Sequence, residues 1–243
     1  METKTMPEIN IVEQKITILD PEPYWEYCRK AIAYATRVAY RSENAGKTDE
    51  EKMERDNKLF LRLLHPSDLT HPQHTSTFEH KVFSIEILTD RAIANEIIRH
   101  RHTAFTQEST RYVNMGKRGA DFVLPHGLND SQKDAVVDSY RKSYGAYLEL
   151  LESGLLPQQA RDVLPLGLAT TMVMSTNITQ WRNVFKLRCD AGAHPKVRSL
   201  MFAVLTEFNK RIPSAFKDLY DKFSEMKEIE PCLVDVKPID DYC

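Results

Sequence analysis

The chain has 243 residues, and its 33 Lys and Arg against 35 Asp and Glu leave a formal charge of −2, which excludes a general polycationic surface of the kind that tracks nucleic acid. Its 42% hydrophobic content is that of an ordinary globular protein. No apolar run reaches the roughly 18 residues that span a bilayer, and the N-terminus lacks the apolar segment of a signal peptide, so no membrane association and a cytoplasmic location are expected.

In chain order, Ile9 to Leu19 predicts a strand with partial alternation. Asp20-Pro21-Glu22-Pro23 ends it and opens a helix through about Tyr40, with Ile32, Ala35 and Ala39 on one face. Asp49 to Leu64 reads as a second helix carrying Met53, Phe60, Leu61 and Leu64, and Pro66 stops it. Between the two lies Gly46-Lys47-Thr48, a solvated loop, because Arg41 stands where a phosphate loop needs its first glycine. No Gly-x-Gly-x-x-Gly occurs, so any dinucleotide is held without a Rossmann fingerprint.

His65, His71, His74 and His80 cluster in a Pro-containing stretch that could ligate a metal with Asp68 or Glu79. It lacks the helical His-Glu-x-x-His pattern and cysteine partners, so no metal is expected. His80 reads as a core histidine at the start of a strand carrying Val82, Phe83, Ile85, Ile87 and Leu88. Asp90 is suited to cap a helix whose core side bears Ile93, Ile97 and Ile98 and whose polar face bears Glu96 and Arg99. Helical pattern stops near Thr103, and a loop with a short strand would carry Gln107 to Tyr112 back past the same site.

Asn129 to Leu151 predicts a long amphipathic helix ended by Gly154. Its stripe of Ala135, Val136, Tyr140, Tyr144, Tyr147 and Leu151 suits a core or a subunit interface better than a cofactor site. Leu168 to Met174 is β-like. Asn177 and Gln180 form an N-cap and N3 pair for a helix with Ile178, Trp181, Val184 and Phe185 on its apolar stripe. Arg188 falls on the same stripe, where a desolvated charge must be paired or face a ligand. From Pro213 a helix and an acidic, irregular end follow. The four cysteines, Cys28, Cys189, Cys232 and Cys243, are scattered and read as free thiols. No repeat, low-complexity tract or linker marks a domain boundary.

The densest chemistry lies in Ile97 to Tyr112, which holds Arg99, Arg101 and Arg111, His100 and His102, Gln107, Glu108, Ser109 and Tyr112. Guanidinium forks grip phosphates or pyrimidine carbonyls, and the Gln, Glu and Ser supply donors and acceptors. Cations at a helix C-terminus would also be favoured by the macrodipole. Arg161 could equally form a surface ion pair with Asp162 or Glu152, worth up to about 1 kcal/mol. Two rival classes are a metal-dependent hydrolase using His65 to His80 and a nucleic-acid-binding module using Arg99 to His102. Neither explains Ser109, Arg161 and Arg188 together.

Arg99-His100-Arg101, seven residues, Ser109 and then Thr110-Arg111-Tyr112 resemble the signature of the flavin-dependent thymidylate synthases. Further similarity lies in His74, Ser76, Glu79 and His80, in Ala160-Arg161 with Leu164-Pro165, and in Asn177, Asn183 and Leu187-Arg188. The resemblance covers roughly Ile9 to Val204 and is strongest over 74–112 and 160–198. Glu96, Gln107, Thr179 and Lys196 depart from the family pattern, where Gln, Glu, Arg and an acidic residue are common.

The resemblance implies an α+β fold, a single domain over 1–243 with a central, mostly antiparallel sheet flanked by helices. It implies a homotetramer with active sites shared between subunits. The implied reaction is reductive methylation of dUMP to dTMP, with methylenetetrahydrofolate as carbon donor and FAD, reduced by NADPH, carrying hydride. It assigns His74, Ser76, Glu79, Arg99, His100, Arg101, Gln107, Asn177, Thr179 and Asn183 to FAD. It assigns Glu96, Arg99, Gln107, Glu108, Ser109, Thr110, Arg111, Arg161 and Arg188 to dUMP, with Arg188 catalytic. Ser109 is expected to bind rather than attack, since no base of the triad sort is evident. The tail from about residue 213 has no assigned chemistry.

Overall fold

The computed structural model describes residues 7–42, 48–64, 75–226 and 229–238. The expected first strand is two strands, β1 (Asn10–Ile11) and β2 (Lys15–Ile18), which join different sheets. The change of partner coincides with a change from exposed Asn10 and Ile11 to fully buried Ile16 and Ile18. Helix α1 (Glu22–Tyr40) starts at Pro21 and Pro23 as expected, but its buried stripe is Trp25, Cys28, Arg29, Ile32, Ala33 and Thr36. Ala35 is half-buried and Ala39 exposed, because Trp25, whose indole N–H donates to the Asp20 carbonyl at 3.1 Å, sets the rotation from the first turn. Helix α2 (Asp49–Leu64) buries Asp56, Phe60, Leu63 and Leu64 and leaves Met53 and Leu61 exposed. Its start is a reciprocal cap between Thr48 and Glu51. Gly46, Lys47, His65, Pro66, His71, His74 and Cys243 lie outside the described residues.

Strand β3 (Val82–Asp90) alternates cleanly, burying Phe83, Ile85, Ile87 and Thr89. Asp90 caps α3 (Arg91–Ile97) by accepting from the Ile93 amide at 2.8 Å. The helix ends before the Arg-His-Arg run, so Ile98 is exposed and the core side is Ile93, Ala94 and Ile97. Next come β4 (Ala104–Gln107), α4 (Met115–Arg118), β5 (Asp121–Phe122) and α5 (Asp130–Glu152). The last has a full capping box between Asn129 and Gln132 and stops at Gly154, whose φ of 96° is the left-handed form glycine accepts. Then follow α6 (Pro157–Ala160), β6 (Ala169–Asn177), α7 (Ile178–Arg188), α8 (Pro195–Arg211), α9 (Pro213–Ser224) and β7 (Leu233–Val236).

The architecture is α+β, but the pairing is not uniformly antiparallel: β1 and β5 run parallel, Asn10 opposite Asp121 and Ile11 opposite Phe122. Strand order in the larger sheet is β4-β6-β3-β2-β7. The chain forms two compact units interleaved along the sequence, Met1–Lys15 with Glu86–Arg99 and Phe105–Val173, and Ile16–Ile85 with His100–Ala104 and Met174–Cys243. Strands β3 and β6 each contribute to both, so no single linker could have marked a boundary.

The first unit packs Met115, Phe122, Tyr140, Tyr144, Tyr147 and Leu168 into one cluster, which makes the tyrosine row core. The Tyr144 hydroxyl donates to the Met115 carbonyl at 2.9 Å, satisfying its polar end. The second unit is centred on aromatic rings: Trp25 stacks on Phe83 at 4.3 Å, and Phe208 meets Trp25 and Trp181 edge-on at 4.8 and 5.0 Å. Such pairs contribute about 0.5–1.5 kcal/mol each beyond burial. No helix among the described residues is long and apolar enough to cross a membrane. Among the described residues, Cys28, Cys189 and Cys232 form no disulfide.

Candidate active site

In the first unit, β4 hands the chain to a tight turn. The Gln107 amide donates to Thr170 Oγ1 at 3.2 Å, and the Glu108 N–H to the Thr171 carbonyl at 2.9 Å, fixing both against β6. The Ser109 carbonyl accepts from the Tyr112 and Val113 amides at 3.2 and 3.0 Å, while its hydroxyl oxygen accepts from the Arg111 amide at 3.3 Å. The Ser109 hydroxyl hydrogen therefore remains available to donate. Buried Thr110 accepts from Arg161 Nη1 at 3.1 Å, and Arg111 Nε donates to Gln158 at 3.0 Å. These two bonds bind the turn to the segment around α6 and bring Ser109, Thr110, Arg111 and Arg161 together.

Arg91 belongs to the same cluster, although nothing in the sequence singled it out. Its Nη2 donates to the Glu108 carbonyl at 3.1 Å, and its buried Nε has no partner among the described residues. Burial lowers its pKa most, with Glu108 acting against that and Arg161 adding to it. A half-buried cation with one donor unsatisfied, bonded to a turn of hydrogen-bonding groups, suits a site for an anion. Glu96 is half-buried on α3, and the Arg99 amide donates to its carbonyl at 3.4 Å, but the Arg99 side chain is exposed. Glu108 also borders a cavity of about 490 Å³ in this unit, beside Thr170 and Thr171.

In the second unit, Arg188 at the end of α7 donates from Nε to His100 Nε2 at 3.0 Å. That geometry requires a neutral ring with its proton on Nδ1. Burial first, and then the Arg188 charge, push the His100 pKa down to about 4, which keeps the acceptor unprotonated. Thr176 donates to the His102 carbonyl at 2.8 Å and holds the turn after Arg101 against β6. Thr179 donates to the Thr75 carbonyl at 2.9 Å, anchoring the short 3-10 turn Ser76–Glu79 to the start of α7. Asn177 accepts from the Gln180 amide at 2.9 Å as the expected N-cap. Ser76, Glu79, His80, Arg101 and Asn183 are exposed, so His80 is not the core histidine expected.

Residues 23–214 match the family described as thymidylate synthase complementing protein. The chain is similar to the flavin-dependent thymidylate synthase of Saccharolobus solfataricus, with 31% identity over 193 residues, 77% of this chain and 71% of the relative. It is 29% identical over 191 residues to that of Sulfolobus acidocaldarius, covering 77% and 71%, and 28% over 207 to that of Geobacter sulfurreducens, covering 84% and 86%. The chain belongs to the flavin-dependent thymidylate synthase family.

Within that family reading, the residues fit a flavin dinucleotide by their donor chemistry. The hydroxyls of Thr77, in the turn with Ser76 and Glu79, and Thr103, beside His102, are buried without a partner among the described residues. Arg101 and Ser76 offer exposed phosphate donors, and Asn183 an exposed amide. In the same segment the Asn177 oxygen caps α7 and the Thr179 hydroxyl donates to the Thr75 carbonyl. His74 lies outside the described residues, and no group of three or more metal-ligating side chains occurs among those described.

The arginine that is fully buried on α7 is Arg182, not Arg188. Arg182 is 5% exposed and forms a bidentate pair with Asp218 at 2.7–2.8 Å while also donating to the Ala215 carbonyl. It is structural, joining α7 to α9.

Proposed function

We propose that this chain methylates dUMP at C5 to give dTMP, with methylenetetrahydrofolate as carbon donor and FAD, reduced by NADPH, as hydride source. The observation that carries the reading is the Arg188–His100 contact, which joins two of the family's motifs 88 positions apart. In the reaction the C5 hydrogen leaves as a proton, the methylene carbon bonds to C5 as its bonds to the folate nitrogens break and tetrahydrofolate leaves, and one hydride completes the methyl group.

On this reading Arg111 and Arg161, with the Ser109 and Thr110 hydroxyls, bind the phosphate of dUMP, and Glu96, Arg99, Gln107 and Glu108 complete the nucleotide site. Arg188 faces the pyrimidine, where a guanidinium favours negative charge at N3 and the carbonyls and so makes C5 more nucleophilic. Neutral His100 orients that guanidinium. His74, Ser76, Glu79, Arg99, His100, Arg101, Gln107 and Asn183 hold FAD, with Asn177 and Thr179 shaping the same wall. The cofactor supplies the redox chemistry when bound, and the protein positions and polarises.

The proposal includes one domain over 1–243, a homotetramer with shared sites and a cytoplasmic location. The family match supports the first by running without interruption through both units. Purified protein reconstituted with FAD should form dTMP from dUMP, and omission of FAD, reductant or folate should abolish it. Product formation without flavin, or none with the full mixture, would overturn the reading. For the shared site, Arg99→Ala and Asn183→Ala proteins, each poor in flavin, should regain FAD binding when mixed under subunit exchange; no recovery would place both residues in one subunit's part of the site.

A further inference from the structure

In the second unit, α1 and α2 enclose a cavity of about 550 Å³, a size usual for a small-molecule site. None of its lining residues belongs to either cluster described above. Among the described residues, Arg29, Lys30, Arg37, Arg41 and Lys52 line it against Asp49 and Asp56; Glu26 pairs with Lys30 at 2.6 Å, which leaves Arg29, Arg37, Arg41 and Lys52 facing two carboxylates.

The charge is concentrated at Asp56, which is 3% exposed. One carboxylate oxygen pairs with Arg29 at 3.2 Å and the other with Arg37, whose side chains are 9% and 13% exposed. A single carboxylate thus serves two desolvated guanidiniums, and the resulting buried excess calls for an anion, because uncompensated charge away from water is costly. Both guanidiniums line the cavity. Of the remaining cations, Lys30 is taken up by exposed Glu26 at 2.6 Å, whereas Lys52 only reaches Asp49 at 3.4 Å and the Arg41 side chain has no ion pair among the described residues. Beside them Tyr34 and Val38 present apolar surface, 71% and 61% exposed. A cationic wall next to an exposed ring suits a ligand with several negative charges and a planar base.

We propose that this cavity binds a nucleoside polyphosphate. The phosphates lie against Arg29, Arg37, Arg41 and Lys52, and the base lies against Tyr34.

The test is calorimetric titration of the full-length, FAD-loaded protein, in excess dUMP, with dTTP, ATP and inorganic triphosphate. We expect saturable binding of the nucleoside triphosphates at one per chain. It should weaken about tenfold or more when Arg41→Glu and Lys52→Glu are combined, since both reversals act on a multivalent anion. Inorganic triphosphate should bind less tightly than the nucleotides, and Tyr34→Ala should remove that difference. Binding should be unaffected by Arg161→Ala. Absence of saturable binding, binding that survives both charge reversals, equal affinity for inorganic triphosphate, or loss on Arg161→Ala would each overturn the proposal. The readout is binding, so it stands whether or not the protein forms dTMP.

Discussion

Protonation of His100 probes the arrangement around Arg188. Its Nε2 accepts from Arg188 at 3.0 Å, and burial, then the Arg188 charge, lower its pKa from 6.5 to about 4. At about 1.4 kcal/mol per pH unit the gap corresponds to roughly 3 kcal/mol; the ring is only half-buried, and discounting for solvent screening leaves about 1–2 kcal/mol. Because the folded pKa lies below the unfolded one, the unfolded chain binds more protons between them. This contribution to stability is present above about pH 6.5 and is lost as pH falls toward 4. Asp20 acts in the opposite sense: burial raises its carboxyl to about 6 despite the hydrogen bond from the Ser84 amide. Its contribution favours the fold at low pH and is lost as pH rises through about 6. The two oppose each other in any acid-unfolding curve, so the assay must read His100 itself, by NMR titration of protein carrying labelled imidazole carbons. We expect a midpoint near 4 in the wild type. Arg188→Leu should raise it but leave it below 6.5, since burial, the larger cause, remains. A wild-type midpoint near 6.5, or identical midpoints in the two proteins, would refute the contact.

Arg188→Lys keeps a charge but loses the Nε donor and the fork, so FAD should still bind while turnover falls about tenfold or more; near-normal turnover would remove Arg188 from the chemistry. Ser109→Ala should weaken dUMP binding by about 1 kcal/mol, read by calorimetry, with dTMP still formed; intact binding with no turnover would restore a nucleophilic role. Asp218→Ala leaves the Arg182 side chain, 6% exposed, without its carboxylate and should lower stability to denaturant by about 3 kcal/mol. Gly167→Ala places a Cβ 2.0 Å from the Tyr140 hydroxyl oxygen and 2.4 Å from its ring carbon. A loss of about 1–3 kcal/mol is expected, and Tyr140→Phe should not restore it; an unchanged melting temperature would contradict the packing.

Local signals carried the elements that have them. Asp90 and Asn177 cap helices as their positions suggested, and the α2 bounds follow from its composition. Helix α8 was not legible, because Lys196, Val197, Arg198, Ser199, Leu200 and Met201 are all buried in succession and leave no amphipathic period. Strand β7 was read as irregular, since its four residues are all exposed and carry no buried alternation. In the site, residue types and spacing exposed the signature, but three-dimensional partners were out of reach. The neutral His100 beneath Arg188, the Thr110–Arg161 bond and the inclusion of Arg91 all depend on contacts between positions remote in sequence. Arg182 was masked because its partner, Asp218, lies in a segment with no chemistry of its own.

The central claim is that the C5 position of dUMP is the reacting carbon and that flavin is required for it. The most direct measurement uses dUMP carrying tritium at C5, incubated with the FAD-loaded protein, methylenetetrahydrofolate and NADPH. Replacement of the C5 hydrogen by a methyl group should release tritium to water in step with dTMP formed, and removal of FAD should stop both. Tritium retained in the product, or released with no dependence on flavin while dTMP accumulates, would contradict it.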